Sequence, residues 1–101
     1  ILVDDMVDTG TTMIKAADAL LDRGAVKVVT ICTHPVLSGK AKERLPQSGI
    51  EKLIVSDTIY HQDLPDGEDS WVVQLSVASI IGEAMKRIHM DQSISSLFEM
   101  N

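Results

Sequence analysis

A short stretch near the start of the chain places hydroxyls and a glycine between a predicted strand and a predicted helix. Its sequence is VDDMVDTGTT, at residues 3–12. Open α/β sheets bind ligands at the carboxyl ends of their strands, and a helix N-terminus presents free N–H groups and a positive dipole end. A phosphate monoester suits such a bend without a lysine. The residues predicted to hold it include Thr9, Gly10, Thr11 and Thr12.

Asp4 and Asp5 directly precede this bend. Carboxylates are poor partners for a phosphate but good acceptors for vicinal hydroxyls, so the pair predicts a sugar phosphate with its hydroxyls on the acids. A hard cation could be shared with those hydroxyls. The alternatives are a solvated acidic pair and a simple helix-capping turn. Neither a Walker A loop nor a G-x-G-x-x-G loop is present in the sequence.

Alternating apolar runs predict the elements that position this loop. The run Ile1-Leu2-Val3 predicts a buried strand that ends at the acids. Further strands are predicted at residues 26–32, 52–55 and 72–75. Helices are predicted at residues 11–23, 39–45 and 77–90. Gly24 is expected to end the first helix, and Ser38 and Ser76 to cap the second and the third. The third helix has an apolar stripe made by Ile80, Ile81, Ala84, Met85 and Ile88.

Strands that alternate with helices indicate an α/β fold with a mainly parallel sheet flanked by helices. Right-handed crossovers are expected to place those helices on both faces. Residues 33–35 are expected to break the second strand, and residues 60–70 to form an acidic surface loop. The chain begins without a methionine and directly in a strand, so we expect it to be a fragment with residues before Ile1.

Composition excludes several classes of protein. The 101 residues carry a formal net charge of −6, which argues against a general nucleic-acid binder and against a surface held by anionic lipid. The single cysteine, Cys32, cannot form an internal disulfide, and we expect it to be a buried small hydrophobe. No apolar run reaches the length of a membrane span, and no signal peptide is visible. We therefore expect a reduced, cytoplasmic setting.

Residues 3–12 resemble the phosphoribosyl pyrophosphate (PRPP) binding motif of type I phosphoribosyltransferase folds. Two further stretches resemble the ribose-phosphate pyrophosphokinase (PRPP synthetase) family in particular. The first is CTHPVLSG at residues 32–39, followed by Ala41 and Glu43-Arg44, and the second comprises residues 75–78 and 92–98. The resemblance implies that residues 1–101 form the later part of the family's C-terminal phosphoribosyltransferase-like domain, with the N-terminal domain absent from this chain.

The family transfers diphosphate from ATP to the 1-hydroxyl of ribose 5-phosphate, giving PRPP and AMP, and needs Mg²⁺. The resemblance implies that residues 8–12, Asp8 included, hold the 5-phosphate, and that Asp4 and Asp5 hold the ribose hydroxyls. It also implies a cytoplasmic homo-oligomer, a hexamer by family resemblance. The catalytic flexible loop, the Mg²⁺ ligands and most of the ATP site are expected upstream of Ile1, so no catalytic or metal residue is assigned here, and this chain alone should not be active.

The end of the chain carries a second predicted site. In most PRPP synthetases this segment helps to form an allosteric site for phosphate or ADP between subunits. The matching residues are Ser93, Ile94, Ser95 and Phe98. A frayed polar terminus is the alternative, because the basic partners of such a site are expected outside this chain. Among the histidines, His34 is expected to bond a backbone carbonyl near the first loop, and His61 and His89 to lie on the surface.

Three other functions stay open. A nucleobase phosphoribosyltransferase would consume PRPP, and the matches at residues 33–39 and 93–98 weigh against it. A non-catalytic regulatory paralogue would keep the fold and bind the sugar phosphate or partner subunits. It is kept open by the order Gly10-Thr11, where the synthetase family usually has a small residue followed by glycine. A receiver-type signalling domain would need a phospho-acceptor aspartate after its third strand, for which Asp57 is a weak match.

Overall fold

A computed structural model describes residues 1–99. Its four strands form one parallel sheet in the order β1-β2-β3-β4. The strands are β1 Leu2–Val7, β2 Val28–Pro35, β3 Ile50–Ser56 and β4 Val72–Leu75. The helices are α1 Thr11–Asp22, the short α2 Ala41–Arg44 and α3 Ala78–His89, with single 3₁₀ turns at Leu45–Gln47 and Ser95–Phe98. The α/β class with a parallel sheet is confirmed.

The two faces of the sheet differ in burial. One row of register partners contains Thr30, Leu53 and Val72, which are at most 2% exposed and form the core with α1 and α2. The neighbouring row points to the opposite face, because side chains alternate along a strand. Its members Val3 and Ile31 are 76% and 39% exposed. The expectation that helices cover both faces is therefore wrong for residues 1–99.

In the part of the chain that the structure describes, the first strand is more exposed than its apolar start predicted. β1 lies at the edge of the sheet, continues through both aspartates to Val7, and leaves Ile1 and Val3 largely exposed. β2 is also longer than predicted, because it includes Thr33, His34 and Pro35. Proline tolerates this position at the very end of a strand. Both corrections place the acids and the histidine inside strands, beside each other at the same end of the sheet.

Helix α1 forms where the spacing predicted it and ends in a Schellman motif. Gly24 has φ +103°, its N–H donates to the Leu21 carbonyl at 3.1 Å, and the Ala25 N–H donates to the Leu20 carbonyl at 3.1 Å. Its core contacts come from Met13 and Ala17, and Ile14 and Leu21 pack against the core as well, whereas Leu20 is 39% exposed.

Helix α3 has no buried residue within the part of the chain that the structure describes. Its apolar stripe is exposed, with Ile80 and Met85 at 56% and 65%, so the stripe is not core here, and a subunit contact stays a prediction. The Ser76 hydroxyl accepts the Ala78 N–H at 3.1 Å, although Val77 occupies the N-cap position.

Replacing Gly82 by alanine should stabilise α3. Gly82 lies in the helix interior, and an added Cβ meets no atom within 4 Å. Alanine favours a helix over glycine by about 0.5–1 kcal/mol, so amide hydrogen exchange along α3 should slow severalfold. Gly67→Ala is the matched control and should lower the stability, because Gly67 has equally open surroundings but a φ of +103°, which alanine adopts only with strain. Unchanged or faster exchange in α3 would contradict the expectation.

The Asp57 carboxylate, just after the end of β3, is hydrogen-bonded to the start of α3. Hydrogen bonds from the Ser76 side chain and from the Val77 N–H, the latter at 2.9 Å, lower the pKa of Asp57. A carboxyl whose pKa is lowered by folding stabilises the fold above its unfolded pKa, and that contribution is lost as the pH falls through the folded value. Asp57 is thus occupied with capping, which does not favour the receiver-domain alternative.

Acid should therefore loosen the start of α3 through Asp57. Exchange of the Val77 amide should accelerate as the pH is lowered between about 5 and about 2, beyond the intrinsic trend. The variant Asp57→Asn should lose most of this extra pH dependence, whereas Asp66→Asn, in the exposed loop, should keep it. An identical profile for wild type and Asp57→Asn would show that another group controls this junction.

Candidate functional site

A cavity of about 240 Å³ opens between the end of β1 and the start of α1. The predicted loop forms most of its wall. Its lining comprises Asp4, Met6, Val7, Asp8, Thr9, Gly10, Thr11, Thr12 and Met13. Six of the seven residues predicted to bind a sugar phosphate thus line one cavity, and the seventh, Asp5, does not. No lysine or arginine is part of this lining.

The N–H groups at the start of α1 have no intrahelical partner. The first intrahelical bond runs from the Ile14 N–H to the Gly10 carbonyl at 2.9 Å, so the N–H groups of Thr11, Thr12 and Met13 precede the hydrogen-bond ladder. Gly10 is the N-cap and supplies no side-chain cap. These donors and the positive end of the helix dipole can therefore accept an anion at this end of the cavity.

Gly10 is required by both its conformation and its neighbour. Its φ is +83°, in the left-handed region that glycine adopts readily. A Cβ at this position would lie 3.2 Å from the Leu45 Cδ2 atom, and Leu45 is 1% exposed. The buried Leu45 therefore supports the bend from behind. No local pattern predicts this contact, because Leu45 is distant along the chain.

The threonine hydroxyls at the mouth of the cavity are connected to a basic side chain. Thr9 Oγ1 donates to Thr11 Oγ1 at 3.3 Å, and the Arg44 guanidinium donates to the same Thr11 oxygen at 3.4 Å. Arg44 belongs to α2, which packs behind the bend through Leu45. The loop thus has a cation near its rim, although the sequence reasoning expected binding by the loop alone.

The two aspartates of β1 are not equivalent. Asp4 lines the cavity, and its Oδ1 atom accepts the Asp5 N–H at 2.8 Å. Asp5 follows in the strand, so its side chain leaves the opposite face. Asp4 is paired in register with Cys32. Burial raises the pKa of the Cys32 thiol, and the nearby charges of Asp4 and Asp5 raise it further, although a hydrogen bond to the His34 backbone lowers it. Cys32 is 2% exposed and fits the predicted buried hydrophobe.

Ser38 has a different role from the predicted helix cap. Lys40 is the N-cap of α2, and the Ser38 hydroxyl instead donates to the Asp8 carboxylate. The Ser38 N–H also donates to the Asp8 carbonyl, at 3.0 Å. A serine just before a short helix is a common capping residue. Its actual partner is Asp8, which the fold brings next to it although the two residues are distant in sequence.

Two of the three histidines differ from their predicted surroundings, whereas His89 is exposed as predicted. His34 Nδ1 lies 2.8 Å from the Thr58 hydroxyl rather than bonding a carbonyl, and it is paired in register with Met6 of β1. His61 is half-buried rather than on the surface, with Nε2 2.6 Å from the Pro35 carbonyl oxygen. Both therefore brace the ends of β2 and β3 next to the cavity without lining it.

Arg87 connects α3 to the serine-rich tail. Its guanidinium donates to Glu83 at 2.9 Å, to the Ser93 carbonyl at 3.3 Å and to the Ser96 hydroxyl. The predicted effector residues Ser93, Ser95 and Phe98 are exposed beside it, with Phe98 at 77%. Arg87 is thus a basic side chain close to the predicted effector residues, in contact with the Ser93 carbonyl and the Ser96 hydroxyl.

Within residues 1–99 no group of three or more histidine, cysteine, aspartate or glutamate side chains is placed to hold a metal ion. Asp4 and Asp8 are the carboxylates that line the cavity. None of the helices in the same residues is long and apolar enough to cross a membrane.

The parallel sheet and its flanking helices define an α/β protein, and the cavity lies at the carboxyl end of the first strand, the edge at which open α/β sheets bind ligands. Residues 1–99 match the family described as the phosphoribosyl synthetase-associated domain, and the chain belongs to that family. The chain is 53% identical over its whole length to ribose-phosphate pyrophosphokinase 1 of Streptococcus agalactiae serotype III (strain NEM316), and 50% identical, over 98% of its length, to the ribose-phosphate pyrophosphokinase of Listeria ivanovii.

Solved structures agree with this assignment. The fold is similar to a crystal structure of the phosphoribosylpyrophosphate synthetase from Mycobacterium smegmatis, with a TM-score of 0.76 and 34% identity over 89% of the chain. The chain spans 31% and 30% of the two curated relatives and 30% of that structure. The resemblance stated from the motifs is therefore confirmed for the family and for the fold.

Proposed function

We propose that this chain supplies the ribose 5-phosphate binding loop of a ribose-phosphate diphosphokinase. The whole protein would transfer diphosphate from ATP to the 1-hydroxyl of ribose 5-phosphate, giving PRPP and AMP. The observation that carries the proposal is the uncapped N-terminus of α1, which shares one cavity with the Asp4 carboxylate. N–H groups at one end and a carboxylate at the other match a molecule with a phosphate at one end and vicinal hydroxyls at the other.

In this arrangement the chain binds and orients the substrate. The phosphate accepts hydrogen bonds from the free N–H groups of α1 and from the Thr9, Thr11 and Thr12 hydroxyls, while Asp4 accepts from the ribose hydroxyls. Such positioning contributes to in-line transfer by holding the attacking hydroxyl in place. Mg²⁺ would neutralise charge on the transferred diphosphate, and its ligands, like most of the ATP site, are proposed to belong to other parts of the whole protein.

A direct test uses the whole protein that contains this chain. We expect AMP to form from ATP and ribose 5-phosphate, and Thr12→Ala to raise the KM for ribose 5-phosphate about tenfold with little change in the KM for ATP, because a lost hydrogen bond to an ionised group has about this effect. Lys27→Ala is the control, because Lys27 directly precedes β2 and does not line the cavity. An equal rise in both KM values would indicate misfolding instead.

The same assays separate the alternatives. Pyrophosphate release from PRPP with a nucleobase would identify a nucleobase phosphoribosyltransferase. Binding of ribose 5-phosphate without turnover would identify a regulatory paralogue. Either result would replace the proposed activity while leaving the phosphate-binding loop in place.

Two finer proposals concern regulation and assembly. Phosphate or ADP is proposed as an effector at Ser93, Ile94, Ser95 and Phe98, supported by the adjacent Arg87 guanidinium. A homo-oligomer, a hexamer by resemblance, is supported by the exposed apolar stripe of α3. A cytoplasmic location is proposed on the same resemblance.

A further inference from the structure

The segment between β2 and α2 is bonded directly to the start of the phosphate loop. The Leu37 N–H donates to the Val7 carbonyl and the Ser38 N–H donates to the Asp8 carbonyl, each at 3.0 Å. The Ser38 hydroxyl adds a bond to the Asp8 carboxylate. Three hydrogen bonds thus join residues 37–38 to residues 7–8, at the point where the chain leaves β1 for the bend.

The conformation of this segment is held against its local preference. Leu37 has φ +51°, which a branched side chain rarely adopts, yet its side chain is only 5% exposed in the core. Such a residue persists when its surroundings over-determine it. The buried Leu37 side chain and the Ala41 N–H, which donates to the Ser38 carbonyl at 3.2 Å, hold Ser38 in place from both sides.

We propose that Ser38 is a positioning residue for the phosphate loop and acts through Asp8, an inference that rests on the proposed function. A carboxylate is a poor partner for a phosphate, so the bond from Ser38 gives Asp8 a role without phosphate contact. Asp8 directly precedes Thr9 and Gly10. Fixing Asp8 therefore fixes the path into the bend and the direction of the N–H groups at the start of α1.

The whole protein carrying Ser38→Ala tests this role. The KM for ribose 5-phosphate should rise about fivefold to twentyfold, since a hydrogen bond to an ionised group is lost, while kcat at saturation and the KM for ATP should change less than about twofold. Ser38→Thr keeps the hydroxyl and should restore most of the affinity. Ser79→Ala, an exposed serine of α3, is the matched control and should behave as wild type.

A double-mutant cycle shows whether Ser38 acts through Asp8. Ser38→Ala combined with Asp8→Ala, which leaves no acceptor for the Ser38 hydroxyl, should raise the KM for ribose 5-phosphate no more than the stronger single variant does. Additive effects, an unchanged KM in Ser38→Ala, or equal rises for both substrates with a lowered Tm would each overturn the inference. Failure of the proposed function has a separate signature, namely a wild-type protein that shows no binding of ribose 5-phosphate or of sulfate at this loop.

Discussion

Replacing Gly10 by valine is expected to raise the KM for ribose 5-phosphate in the whole protein by about 30-fold or more. The left-handed conformation at φ +83° costs an ordinary L-residue about 1–2 kcal/mol and a β-branched residue more. The added Cβ would also lie 3.2 Å from the Leu45 Cδ2 atom and 3.3 Å from its Cγ atom. Because Leu45 is buried, the loop must move instead, and its N–H groups move with it.

Gly24→Val is the matched control for this experiment. Gly24 has φ +103°, and an added Cβ meets nothing within 4 Å. This variant should therefore carry a similar backbone penalty as a loss of thermal stability, with the KM for ribose 5-phosphate close to that of the wild type. A Gly10→Val protein that is folded and binds the sugar phosphate normally would remove the bend from the site.

Asp4→Asn should lower kcat/KM for ribose 5-phosphate by about tenfold to a hundredfold, because hydrogen bonds to an ionised carboxylate are among the stronger ones. Asp5→Asn is the natural comparison, since Asp5 neighbours Asp4 in the chain but does not line the cavity. We expect the effect at Asp5 to be several times smaller. Measuring initial rates at subsaturating ribose 5-phosphate gives this ratio directly.

A substrate analogue identifies which contact Asp4 makes. With 2-deoxyribose 5-phosphate the penalty of Asp4→Asn should shrink if the carboxylate bonds the missing hydroxyl, whereas the penalty of Gly10→Val should persist, because the phosphate is unchanged. Equal losses at Asp4 and Asp5 would show that the strand face does not decide which acid reaches the sugar.

The place of the loop in the fold was predictable from sequence because its residues are consecutive. Thr9, Gly10 and Thr12 lie between a strand and a helix, as predicted, and line one cavity. The start of α1 and its glycine stop also followed from local rules of spacing and capping. Local patterns were sufficient wherever the relevant partner was a near neighbour in the chain.

The supports of the loop were not predictable in the same way. Leu45 and Ser38 contact Gly10 and Asp8 across about 30 residues or more, and only the parallel order of β1 and β2 brings them together. The place of β1 next to β2 likewise depends on strand order, which an apolar run does not reveal. Hydrophobic periodicity predicts where strands form, but it does not predict their order in the sheet.

The cavity combines uncharged donors with carboxylates, and this has a kinetic consequence. Asp4 and Asp8 both line it, whereas Arg44 and the start of α1 add positive charge near its rim, so a doubly charged sugar ester meets both signs of charge on approach. Ionic strength screens these long-range effects, because the Debye length falls from about 10 Å at 0.1 M salt to about 3 Å at 1 M, whereas contact bonds are screened far less. At this loop, added salt should therefore change the rate of capture less than it does for electrostatically steered ligands.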